Sequence, residues 1–355
     1  MSKSKKASSK ALVPAARKQE EPKKFREYRQ SKPEQLTFFE QLLPDERRFS
    51  NTIELYDFIP KYVWGKVQRV GGQFLKTLER EFVCKDKRLS VKIHPARLPD
   101  KNGEYREYFP SKREELVEDA LRKLAGEGQG LFLDEQAGVT FSLYQLQQEL
   151  KRNGHSYSKD QLKDALMICA QTKIEVRSED GTALLVASLF ETLGLTTRED
   201  WAGQGEKTRA FVRFNPLVTE SIKQRSFRQI NYEKSMSFSS VIARQLHKRM
   251  AHHYVQASMA NPYNIMLSTI IRDFGLTAYA QLRDNLRDVQ AALEEMVDKE
   301  VLAFFRIEKT FDPARRNRLL DAKLILTPHQ RFTSEIIQAN KRKMEIGRPQ
   351  PKALT

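Results

Sequence analysis

The chain has 355 residues, 39% of them hydrophobic and 30% charged, with a formal net charge of +16. That is enough for roughly two domains with cores of their own. No apolar run approaches the ~20 residues that cross a bilayer, so no membrane partner is expected. The two distant cysteines, Cys84 and Cys169, exclude a disulfide framework or cysteine metal cluster and fit a cytoplasmic compartment. The positive balance points to a polyanionic partner, nucleic acid or an anionic surface, with a soluble basic protein carrying a basic tail as the bland alternative.

Charge is concentrated at the start. Residues 1–32 hold eleven Lys or Arg against three Glu, a net of +8, in a Ser-, Ala- and Pro-rich setting poor in apolar side chains. Such a stretch buries too little surface to offset its ordering entropy, so residues 1–50 are expected to be a disordered basic tail. No apolar segment follows the basic start, so no secretory leader is expected. Within the tail, Gln35, Leu36, Thr37, Phe38 and Phe39 form an apolar island.

Residues 80–84 and 89–94 alternate like strands around a Lys-Asp-Lys turn. Ser111 with Glu114 is a capping box that opens a helix to about Leu124, which Gly126, Gly128 and Gly130 end. Two further capping boxes follow, Ser142 with Gln145 and Ser158 with Gln161. They open two helices separated by Asn153 and Gly154. The hairpin signal Glu179-Asp180-Gly181 lies between strands at 173–177 and 183–187. A strand at 209–214, a short helix at 216–224 and an extended link at 227–232 complete this half.

A basic amphipathic helix is predicted from Ser239 to Tyr254, with Ile242, Leu246, Met250 and Tyr254 on one face. A short helix to Asp273, a turn at Gly275 and a long helix from about Ala280 to Asp298 come next. The long helix turns Leu282, Leu286, Val289, Leu293 and Met296 inward, and Ala280, Arg283, Asp284, Arg287 and Ala291 outward. Strands at 302–307 and 322–326 flank a connection carrying Lys309, Arg315, Arg316 and Arg318 against one acid, Asp312. The chain from Lys341 onward, with Pro349 and Pro351, reads as a second tail.

The two halves share an order of elements: short helix, turn, longer helix, then strands with a basic connection. The fold class expected is α+β, with two tandem winged-helix domains at 51–230 and 231–335 between the basic tail and a C-terminal tail at 336–355. A winged helix places one helix in a major groove and a hairpin along the backbone. Arg283 and Arg287 suit guanine edges, and Tyr279 and Gln281 stand at the helix start to reach bases or phosphates. Lys309, Arg315, Arg316 and Arg318 are expected on phosphates. In the first half the corresponding face is Asp160, Lys163, Asp164 and Met167 with Lys159 beside it, so contact there should be weaker. The competing reading of the long helix is a solvated face with Arg–Asp pairs.

Catalytic signals are poor. Residues 203–208 are similar to a phosphate loop, but Glu206 replaces the glycine that precedes the Lys. His252, His253 and Tyr254 hint at a nicking enzyme, yet adjacent histidines on a helix point about 100° apart. No catalytic residue, metal site or cofactor is expected.

The layout resembles the plasmid replication initiators of the TrfA/RepA type, across roughly residues 33–330. The likeness rests on the segment from Val139 to Leu146, on Ser240 to Leu246, and on Leu282-Arg283-Asp284-Asn285-Leu286. Gln35, Leu36, Phe38 and Phe39 are similar to that family's sliding-clamp peptide, with Phe38 in place of its usual Leu; otherwise the island packs on the first domain. The resemblance implies a protein that binds repeated double-stranded sites (iterons) in a plasmid origin and helps open A·T-rich DNA. It also implies recruitment of the host initiator and replicative helicase, and a homodimer that represses its own gene. The rival readings are a transcriptional regulator of the same fold and a rolling-circle nicking initiator.

Overall fold

The computed structural model describes residues 48–347 apart from 66, 68, 70–73, 101, 134, 196–208 and 316–317. The apolar island at 35–39, the stretch 203–208 and Arg316 therefore lie outside the described residues. The described chain mixes helices with small antiparallel sheets.

The first half opens with β1 (Phe49–Ile53) and the short helix α1 (Glu54–Phe58). Strands β2 (Leu78–Cys84) and β3 (Lys87–His94) then form the expected hairpin. Lys85 and Asp86 turn it with φ of 51° and 61°, which matches the right-handed twist of the flanking strands. The hairpin of β8 (Lys173–Ser178) and β9 (Leu184–Ser188) joins it edge to edge, giving the order β2-β3-β8-β9. Helix α2 (Lys112–Leu124) runs through the middle of this half, and both members of its capping box are made. Helices α3 (Leu143–Arg152) and α4 (Lys159–Gln171) also start on complete capping boxes. Each such cap contributes about 1 kcal/mol. Leu146, Leu150, Leu162, Ala165, Leu166 and Cys169 all enter one core with α2.

A second sheet has the order β10-β11-β7-β6, built from β6 (Gly130–Leu133), β7 (Gln136–Ser142), β10 (Phe190–Leu195) and β11 (Arg209–Phe214). The short helix expected next is α5 (Pro216–Lys223), started by Asn215, whose side chain accepts from Leu217 N–H. The segment expected as an extended link is instead β12 (Phe227–Asn231), buried at every position and paired antiparallel with β1. Its backbone finds hydrogen-bond partners in β1, with Phe227 opposite Ile53 and Asn231 opposite Phe49, a pairing that local pattern does not encode.

After the short helix α6 (Tyr232–Ser237), the second half runs through α7 (Val241–His253), β13 (Tyr263–Met266), α8 (Leu267–Asp273) and α9 (Leu282–Asp298). The hairpin of β14 (Leu302–Phe311) and β15 (Leu319–Pro328) follows, and the sheet order is β13-β15-β14. A seven-residue helix such as α8 is not stable alone. Burial of Leu267 and Ile270, worth roughly 1.5–3 kcal/mol each, holds it on the second core.

Of the expected basic tail at 336–355, the described residues 336–347 are instead helical and belong to α10 (Gln330–Gly347). Phe332 and Ile336 enter the second core, and Ala339 is buried as well. Farther along, Asn340 accepts from Arg228 Nη2 at 2.5 Å, and Ile346 O accepts from Arg225 Nη1 at 3.0 Å. The helix thus straps the second core to β12 of the first half. A tail reading fails here because the apolar stripe that anchors the helix starts upstream, at Phe332.

Candidate nucleic-acid interface

The interface is built from α8, α9 and the hairpin, and polar contacts fix each against the others. Ser268 at the start of α8 donates its N–H and Oγ to the two carboxylate oxygens of Asp321 on β15, at 3.1 and 2.6 Å. Gly275 turns the chain after α8 with φ of 62°. A Cβ there would stand 2.6 Å from Arg80 Nη1, the end of a side chain that can shift, so it is the left-handed turn that favours glycine. Asn285 then staples the segment before α9: its Nδ2 donates to Thr277 O at 2.8 Å, and its Oδ1 accepts from Tyr279 N–H at 2.9 Å. The sequence alone gives Asn285 no positioning role. Its signal was a polar residue inside the inward apolar stripe, between Leu282 and Leu286.

Leu286, Val289, Leu293 and Met296 are buried as expected. Tyr279, Gln281, Arg283 and Arg287 are all exposed on the other side. Arg287, 73% exposed, is 3.2 Å from Asp284 and 4.0 Å from Asp288. The hydrogen bond to Asp288 raises the Tyr279 hydroxyl pKa. The Arg–Asp pairs of the competing reading are therefore present. Exposed pairs of this kind contribute about 0–1 kcal/mol, less than one bidentate guanine contact at about 1–3 kcal/mol. A duplex would displace them.

Along α9, the first two turns expose Arg283 and Arg287 beside the half-buried Asp284 and Asp288, whereas the far end exposes Glu294 and Asp298.

Strands β14 and β15 both pack on α9. Lys309 belongs to β14 rather than to the connection, and it is exposed there. The described residues of the connection are held to one another by hydrogen bonds. Asp312 N–H donates to Arg318 O at 2.9 Å, Arg318 N–H donates to Arg315 O at 2.8 Å, and Asp312 Oδ1 accepts from Ala314 N–H at 2.9 Å. Its one acid is thus engaged with the turn's own backbone, while Arg315 and Arg318 stay exposed. Two cations missed in sequence join them on the hairpin: Lys323, and Arg306, which sits 2.9 Å from Glu308.

The matching face in the first half differs from expectation. Lys159 and Lys163 are exposed on the first turns of α4, with Lys163 3.8 Å from Asp160. Farther along, the ribbon of β4 (Ala96–Pro99) and β5 (Tyr105–Tyr108) lies over the helix. Ala96, Leu98 and Ile168 form a small core there, flanked by Met167 and Tyr108. Met167 is half-buried by this packing, so the helix cannot present its whole outer face. The β8–β9 hairpin is likewise paired to β3 and does not project as a free wing.

His252 is buried, 3.3 Å from Thr52 Oγ1, and His253 stacks on Phe58 at 5.1 Å. The Tyr254 hydroxyl donates to Ser258 O and Asn261 O. Among the described residues no group of three or more His, Cys, Asp or Glu is placed to hold a metal ion. No described helix is long and apolar enough to cross a membrane.

No family model and no curated protein sequence matches the chain. Solved structures are similar to it. A selenomethionine crystal structure of domains 2 and 3 of RctB aligns at 10% identity, covering 78% of this chain and 96% of that one, with a TM-score of 0.48. A second RctB domains 2–3 structure aligns at 10% identity, covering 80% and 99%, with a TM-score of 0.47. The Pi initiator protein in complex with iteron DNA aligns at 14% identity, covering 61% and 90%, with a TM-score of 0.41. At these scores the likeness is loose, and the functional reading rests on the chain's own side chains.

Proposed function

We propose that this protein is a non-enzymatic plasmid replication initiator whose C-terminal unit is a winged-helix reader of repeated double-stranded origin sites. One observation carries the reading. A helix held by a short helix, a tight glycine turn and the Asn285 staple presents Arg283 and Arg287 to solvent, and the hairpin packed on it ends in exposed Arg315 and Arg318. In this reading α9 enters a major groove and the hairpin is the wing, while Lys159 and Lys163 add phosphate contacts from the first half. Origin opening, recruitment of host initiator, helicase and clamp, and homodimer formation follow from the sequence resemblance and belong to the same proposal.

Arg283→Ala or Arg287→Ala should weaken binding to the cognate repeat by about 1–3 kcal/mol and relax specificity at one base position. Footprints and base-substituted duplexes measure this; unchanged footprints for both variants reject the assigned reading face. Arg315→Ala with Arg318→Ala should weaken all duplexes alike and flatten the slope of log affinity against log salt by about one for each phosphate given up. A slope equal to the parent's would remove the wing from the backbone. Deleting the gene from its plasmid separates initiation, where replication is lost, from regulation alone.

A further inference from the structure

The winged hairpin is not only basic. Two large apolar side chains stand on the surface where it turns: Phe311, the last residue of β14, is 42% exposed, and Leu320, next to the first residue of β15, is 47% exposed. Both belong to described strands, at an irregularity that leaves Leu320 between the pairs Phe311–Leu319 and Thr310–Asp321. Around them are Lys309, Arg315 and Arg318, all exposed. The neighbouring Leu319 is 7% exposed and belongs to the second core, so the strand carries one apolar residue for the core and another for solvent. The register breaks between Thr310 and Phe311, which reorients the strand end just where the aromatic ring emerges.

Each half of this arrangement has a physical demand. Exposed Phe and Leu gain by losing water contact. Clustered cations gain by meeting an anion of high charge density. An apolar protein pocket would satisfy the first and leave the second without a counter-charge. A membrane surface would satisfy both only with a wider apolar face than two side chains supply. A nucleic-acid duplex satisfies both at once, since its phosphates flank grooves whose floor is the edge of an apolar base stack. Side chains of these types, inserted between base steps from the minor-groove side, unstack and kink DNA.

We propose that Phe311 and Leu320 form a wedge at the wing tip that partly unstacks the duplex held by the neighbouring cations. The inference rests on the wing's contact with DNA, and it adds that the wing deforms the duplex as well as gripping it. Lys309, Arg315 and Arg318 supply affinity for phosphates, whereas Phe311 and Leu320 supply distortion.

The test uses the full chain and relaxed closed-circular plasmid DNA with a type I topoisomerase, so that no cognate sequence need be known. Occupancy is measured on the same DNA by filter binding at low salt. Bound parent protein should shift the topoisomer distribution in proportion to occupancy, because unstacking unwinds the helix. The variant with both Phe311→Ser and Leu320→Ser should bind within about twofold of the parent yet lose most of that shift. The Phe304→Ser variant, which alters an exposed aromatic at the base of β14, should keep it. A double variant that still shifts linking number at equal occupancy overturns the wedge. So does a parent that binds without any shift. A parent that fails to bind duplex DNA at all rejects instead the reading of the site on which the wedge depends. Thermal melting of the double variant within about 2 °C of the parent keeps a folding defect from imitating the result.

Discussion

Lys248→Met is expected to cost about 3–5 kcal/mol of folding stability, the usual result of breaking a buried ion network from one side. Lys248 lies on α7, in the second half, and reaches two carboxylates on α2 in the first: Asp119 at 2.7 Å and Glu115 at 3.3 Å. Arg244, one helical turn earlier on α7 and fully buried, lies 3.1 Å from Glu115. Arg122 on α2 pairs with Asp57 at 2.8 Å and Asp119 at 2.7 Å, and Tyr62 donates to Glu118. Four buried carboxylates, Asp57, Glu115, Glu118 and Asp119, thus share the seam with four buried cations, Lys61, Arg122, Arg244 and Lys248. Burial alone would lower the Lys248 pKa, yet Asp119 and Glu115 raise it, so the ammonium is held charged. Burial would likewise raise Asp119, but Lys248 and Arg122 pull it below the ordinary carboxylate range. Removing Lys248 leaves the buried carboxylates one cation short. Urea denaturation measures the loss, and a variant within about 1 kcal/mol of the parent would show that Lys248 is not needed to balance the network. Because the network crosses between the halves, the loss should appear as one earlier transition, not as unfolding of the second half alone.

Acid should weaken the fold well above the carboxylate range. Burial lowers His247 and His252 to about 3. His247 sits between Phe238 and Phe332, with ring centroids at 5.7 and 5.9 Å, and Lys234 and Lys248 disfavour its cation further. His252 feels the same burial, with Asp57 partly opposing it. Each is neutral in the folded chain and gains a proton in the unfolded chain near the ordinary histidine pKa of about 6.5. Their stability is therefore complete above that pH and is lost as pH falls from about 6.5 toward 3. At pH 5 the loss is about 2 kcal/mol for each, hence about 4 kcal/mol together. Burial shifts His155 and His253 in the same direction. Urea midpoints at pH 7 and pH 5 give the loss directly. His247→Leu should remove about half of it, and an unchanged pH dependence in that variant would rule out His247 as its source.

Much of the second half was legible along the chain. Helix caps, the Gly275 turn and the inward stripe of α9 are local signals, and α7, α8 and α9 stand within two residues of where they placed them. The exposed positions of Arg283, Arg287, Arg315 and Arg318 follow from the same periodicity, because a helix or hairpin with one apolar face must turn the other outward. Lys309 was assigned to the connection because the β-run continues past the last apolar alternation, through Glu308, Lys309 and Thr310.

What the sequence by itself determined is therefore the local elements, their caps and the cationic character of the last hairpin, all of which depend on neighbours within a few residues. The tertiary structure alone decided the rest. It buried the charged faces of α2 and α7 against each other, where pattern reading made α7 a basic amphipathic surface. It made β12 a strand, placed residues 336–347 of the supposed tail in the strap α10, and drew the β4–β5 ribbon across α4. The reason is the same in each case. A charged side chain or an unpaired strand is stable inside a protein only when a partner from distant sequence arrives opposite it, and no short window of residues contains that partner.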